Sequence, residues 1–296
     1  MEKFAPPEVN ETAFFEILAK RYTLPDLPSL FDKDMELLDR ALLQALNDEE
    51  GILRKTSLIF ISKFKRESFA RPLIQKITQA EDPTEKKWLI WCLGNIARSS
   101  DVLAMAAYMR DEKNPYLLNL LAVAIAKIAE KDGSSTPLLL LAENSNNMYI
   151  KSTSIIGLGK IGDPKAFPLL FRYSKEHPSK EIRFCSIVAL STIIPKIEYG
   201  PELKTDLNRR LESAQSAYEK LALAYTIQKV FGFEERLYSF IVGYLKQPIF
   251  NEVALDFLED LPFSQGRDRL EIVMINYPRG EMKERLSDII TKLKGF

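Results

Sequence analysis

One short pattern, an aliphatic residue followed by two small or polar residues and another apolar one, recurs along most of this 296-residue chain. It occurs at Ile61–Phe64, Leu93–Ile96, Ile125–Ile128, Leu158–Ile161, Leu190–Ile193, Ile227–Val230, Leu258–Leu261 and Ile290–Leu293. The spacings between successive anchors are 32, 32, 33, 32, 37, 31 and 32. A near-constant period of this length is the mark of a repeat architecture, because one helix pair cannot bury its apolar face alone.

Each unit reads as two helices. Apolar residues at helical spacing precede each match, as in Ile150, Ser154, Ile155, Leu158 and Ile161. Asp82-Pro83, Asn114-Pro115 and Gln247-Pro248 place proline where a helix begins, and Asp82 and Asn114 can act as N-caps. Gly133, Gly162, Gly232 and Gly266 act as breakers, followed by second helices such as 165–174 and 236–246. No stretch alternates as a strand does.

The residues from Ile150-Lys151 to Leu158-Gly159-Lys160-Ile161-Gly162-Asp163-Pro164 resemble the HEAT-like repeat of the bilin-lyase type. A basic residue seven before the anchor recurs at Arg54, Lys86, Lys151, Arg183, Lys220 and Lys283, while Leu118 and Asn251 interrupt the row. The resemblance implies an all-α, right-handed α-α superhelical solenoid of about eight HEAT-like helix pairs over residues 31–296. Ahead of it, residues 1–30 read as a capping helix, Glu11–Tyr22, and a rigid linker, Leu24-Pro25-Asp26-Leu27-Pro28. Phe14, Phe15, Ile17 and Leu18 are expected on one side of that helix. The longer spacing near Pro195–Pro201 predicts a longer loop or a helix extension.

Several features that look chemical have plainer readings. Gly157, Gly159 and Gly162 match a dinucleotide-loop pattern, but they fall at a helix end rather than between strand and helix. His177, the single histidine, is expected in an exposed loop, and Cys92 and Cys185 within apolar faces. Asn10-Glu11-Thr12 fits a glycosylation sequon with no secretion signal before it. No catalytic residues, metal ligands or cofactor are assigned.

Aligning the units by their anchors gives the functional expectation. In the resembled family the position two before the anchor is usually polar and faces the concave side; here it reads Ile59, Trp91, Val123, Ile156, Val188 and Tyr225 before turning acidic at Asp256 and Asp288. Two after the anchor, one turn away, stand Lys63, Asn95, Lys127, Lys160, Thr192, Lys229, Asp260 and Lys292. Six before it, Glu252 and Glu284 add to the acidic end. Trp91, Val123, Ile156, Val188 and Tyr225 are therefore candidate partner contacts, with Lys63, Lys127, Lys160 and Lys229 steering acidic groups. The other reading of the apolar row is core between neighbouring helices.

The expected function is a non-catalytic, cytoplasmic scaffold or adaptor that binds another protein through an acidic amphipathic segment. The resemblance also admits a bilin-lyase-like protein that handles a tetrapyrrole. It admits more distantly a nucleic-acid binder, which 41 basic against 41 acidic residues disfavours. Membrane association is not expected, and oligomeric state is left open.

Overall fold

The computed structural model describes residues 10–22, 35–109, 112–277 and 280–294. Among them every regular element is helical. The chain begins with α1 (Glu11–Arg21), α2 (Met35–Leu46), α3 (Gly51–Lys63), α4 (Ala70–Gln79), α5 (Pro83–Ile96) and α6 (Val102–Met109). It continues with α7 (Pro115–Asp132), α8 (Thr136–Asn144), α9 (Met148–Ile161), α10 (Phe167–Glu176), α11 (Lys180–Ile193) and α12 (Glu202–Ser213). Last come α13 (Ala217–Phe231), α14 (Glu235–Tyr244), α15 (Asn251–Glu259), α16 (Arg267–Ile275) and α17 (Glu281–Leu293). The chain divides into two compact units, one ending at Pro137 and the other beginning at Leu138.

The eight anchors fall one each in α3, α5, α7, α9, α11, α13, α15 and α17, and none is more than 3% exposed. Each such Leu or Ile contributes about 1.5–3 kcal/mol over leaving it in water. Helices α2/α3 through α16/α17 thus form eight consecutive pairs, the all-α repeat arrangement that the period predicts. In the first unit α3 packs on α5 and α5 on α7; in the second α9, α11 and α13 pack side by side.

Local chemistry fixes the helix ends. Asp82 accepts from the Thr84 and Glu85 amides, at 2.9 and 3.3 Å, and Asn114 accepts from Tyr116 at 3.0 Å. Gly133 and Gly162 close α7 and α9 in the left-handed conformation, at φ 62° and 65°. Gly266 has no such backbone role. A Cβ there would lie 2.1 Å from the Tyr238 ring, so glycine is needed for space. Gln247-Pro248 does not open a helix: Phe250 and Asn251 donate to the Gln247 carbonyl in a turn, and α15 starts at Asn251. The extra residues after α11 form a short 3-10 turn, Ile194–Lys196, and a loop to α12.

Four of the six recurring basic residues share a task, while Lys86 instead pairs with Glu112. Arg54 donates to the carbonyls of Asp48 and Glu49 at 2.8 and 2.9 Å, and Arg183 to those of His177 and Pro178 at 2.6 and 3.1 Å. Lys151 reaches the Glu143 carbonyl at 3.4 Å and Lys283 that of Tyr277 at 3.1 Å. These side chains bind carbonyls at the end of the preceding helix or in the turn after it, which have no intrahelical partner.

Helix α1 lays Phe14 and Phe15 on Phe60 of α3, with ring centroids 4.7 and 5.0 Å apart. Arg21 then pairs with Asp48 and Glu50 at 2.7 and 2.6 Å. Ile17 does not join the packed side and is 49% exposed. At about 100° of turn per residue, Phe14, Leu18 and Phe15 fall within one arc of about 100°, and Ile17 lies outside it. Leu24 to Pro28 fall outside the described residues.

Candidate functional site

In the second unit, three anchor helices meet closely because small residues face each other. A Cβ on Gly159 of α9 would lie 2.9 Å from Ala189 Cα and Cβ in α11. The Thr192 hydroxyl donates to the Gly159 carbonyl at 2.6 Å, and the Thr226 hydroxyl of α13 donates to the Ile187 carbonyl at 2.9 Å. On this face the three helices leave a cavity of about 290 Å³. Four of the nine residues singled out from the sequence line it: Ile156, Lys160, Val188 and Tyr225.

Their roles within it differ. Ile156 is an exposed rim residue, 47% accessible, and Lys160 is also exposed. Val188 is half-buried and Tyr225 is 4% exposed. Tyr225 is held there by Phe257 of α15, whose ring stacks on it at 4.0 Å. The tyrosine hydroxyl donates to the Asp260 carboxylate and accepts from Lys229 Nζ at 3.0 Å; Lys229 and Asp260 also form an ion pair. Burial and the Asp260 hydrogen bond push the Tyr225 hydroxyl pKa up. Burial alone would lower the pKa of Lys229, but Asp260 and Tyr225 hold it above its ordinary value.

Lys229 is engaged by Asp260 of the next repeat. The cause is register: both residues stand two after an anchor, so stacking brings them together. Lys127 follows the same rule and donates to Asn95 Oδ1 at 2.6 Å. Asp256, counted among the acidic residues of the last units, pairs with Arg285 at 2.7 Å.

The remaining candidates belong to the first unit. Trp91 is half-buried and meets Trp88 edge-on at 5.7 Å, with the Lys55 ammonium 4.4 Å from the Trp88 ring. Val123 is half-buried, and Lys63 and Lys127 are exposed. In the same row Ile59 is 7% exposed, so the row grades from core to surface.

Sequence reasoning did not select Phe184, Cys185 and Thr192, which also line the cavity. Phe184 was legible as the residue one turn before Val188 on the same face. The Cys185 thiol is pushed up to about 12 by burial and by the charge of Glu181, and burial likewise raises Cys92. Burial thus disfavours the thiolate at both. His177 is half-buried, not exposed: it packs edge-on against Tyr173 at 5.1 Å, and its Nδ1 accepts from the Ser179 amide at 3.2 Å. Burial and the charges of Lys151 and Arg183 lower its pKa. Asn10 of the sequon is the N-cap of α1, accepting from Ala13 N at 3.2 Å. Among the described residues no cluster of three or more His, Cys, Asp or Glu could hold a metal ion. Nor is any helix there long and apolar enough to cross a membrane.

No curated protein matches the chain. Among solved structures, a chain of "the complex of CpcE and CpcF of phycocyanin lyase from Nostoc sp. PCC7120" is similar at a TM-score of 0.43 and 13% identity, covering 97% of this chain and 100% of that one. The family model for HEAT repeats matches residues 135–228, the span from α8 through most of α13 that holds the cavity.

Proposed function

We propose that the protein is a non-catalytic binding module whose cavity among α9, α11 and α13 receives an apolar side chain from a partner protein. The observation that carries this reading is an apolar hollow of about 290 Å³ with an exposed isoleucine, Ile156, at its rim. Such a hollow suits an anchor side chain, and a fully buried anchor dominates interface energy. Lys160 gives the rim a positive charge, which favours an acidic group beside that anchor. Tyr225 and Val188 form the inner wall, and Lys229 acts through Tyr225 and Asp260 rather than on the partner. Trp91, Val123, Lys63 and Lys127 are the corresponding positions of the first unit and are proposed as contacts for the same class of partner. The cytoplasmic setting expected from the sequence is part of this proposal.

Replacing Ile156 with Asp tests it. The residue is exposed, so Ile156→Asp should keep the helical circular dichroism signal and shift stability within about 0.5 kcal/mol. It should remove at least one protein that the parent chain captures from native lysate. An unchanged set of captured proteins, with the variant folded, would contradict the proposal.

A further inference from the structure

A second cavity, of about 440 Å³, lies among α10, α11, α12 and α13, and its chemistry is the opposite of the first. Its walls carry Lys175, Lys180, Arg183, Arg209 and Arg210 against only two carboxylates, Asp206 and Glu219. Both carboxylates stand in ion pairs, and Asp206 Oδ2 is itself buried with no hydrogen-bond donor. Asp206 meets Lys175 at 3.1 Å and Arg209 at 2.7 Å, and Glu219 meets Arg183 at 2.5 Å. Arg210 gives its Nη2 to the Ser174 carbonyl at 2.7 Å, but its Nη1 is shut off from water with no hydrogen-bond acceptor. Lys180 makes no ion pair among the described residues. The mouth of the cavity also includes Gln215 and Ser216 at the start of α13, where the Ser216 side chain makes no capping bond.

A guanidinium nitrogen lacking an acceptor, an unpaired lysine and an uncapped helix start share one requirement, an oxygen-rich anion. Five cations against two carboxylates leave three positive charges, so the fitting ligand carries more than one negative charge. We propose that this cavity is a binding site for a small phosphate-class oxyanion, either free phosphate or the phosphoryl group of a small phosphomonoester. Arg210 and Lys180 would hold it, with the backbone amides of the first turn of α13. The site is separate from the apolar cavity and stands whether or not that cavity binds a partner.

Thermal melting of the full chain with inorganic phosphate, with glycerol 3-phosphate, and with sodium chloride at matched ionic strength tests the proposal. A bound anion raises Tm saturably, because it binds only the folded state. Phosphate or its ester should do so and chloride should not, and the tighter of the two identifies the source. Lys180→Ala, at an exposed position, should weaken that affinity about tenfold. Arg210→Met should abolish it; if that variant does not fold, Lys180→Ala alone decides. A Tm rise that chloride reproduces, no rise at all, or an affinity unchanged in Lys180→Ala would overturn the proposal.

Discussion

Gly159 and Gly94 occupy the same repeat position, one after the anchor, and each faces the alanine one before the next anchor. The contacts differ in tightness. A Cβ at 94 would meet the Ala124 Cβ at 3.1 Å, whereas one at 159 would meet both Cα and Cβ of Ala189 at 2.9 Å. Alanine gains about 1 kcal/mol over glycine inside a helix, and overpacking against backbone costs about 1–3 kcal/mol. Gly159→Ala should therefore lower stability by up to about 2 kcal/mol in urea unfolding, the clash outweighing the propensity. Gly94→Ala should be near neutral, because Ala124 has only to yield by a few tenths of an ångström. Equal losses at the two sites would contradict this reading. The residue scale is also where the sequence was least legible. Ile156 and Tyr225 share one register position yet differ from 47% to 4% exposed. The difference comes from Phe257, which covers Tyr225 and stands in a different repeat.

At the scale of elements, junctions are held by single polar side chains. Glu112, between α6 and α7, accepts from the Lys113 and Asn114 amides, both at 2.9 Å, and from Lys86 Nζ at 3.0 Å. Burial opposes its ionisation, but the Tyr108 hydroxyl, the Asn114 amide and Lys86 outweigh it, and its pKa falls to about 2. An unfolded glutamate titrates near about 4.3. The stabilisation is thus fully present above that pH and is lost as pH falls from about 4.5 towards 2. Melting curves of the parent chain should show this loss, and Glu112→Gln should lack that part of the pH dependence. A variant with the parent's full acid slope would show that the junction depends on other groups. The helices and most of their ends were legible in the sequence, since buried aliphatic anchors, Asp82, Asn114, Gly133 and Gly162 act through neighbours close in the chain. The pairing of Lys229 with Asp260, and of Lys127 with Asn95, was also encoded. It emerges only when the rows of successive units are placed side by side.

For the whole molecule, 41 basic residues balance 41 acidic ones, and some of them pair between neighbouring repeats. Lysine and acidic rows that look like opposite poles in the aligned sequence meet directly at Lys229–Asp260, while Arg285 takes Asp256 and Glu259. The Arg210 cavity carries an excess of basic side chains. On the proposed function, what a partner reads in the second unit is the apolar hollow and its Ile156–Lys160 rim. Hydrogen–deuterium exchange on the complex with a captured partner tests that claim most directly. The account predicts slower exchange in α9 around 156–160 and in α11 around 184–192, with the same peptides unchanged when Ile156→Asp replaces the parent chain. Protection that leaves these two stretches untouched would contradict it.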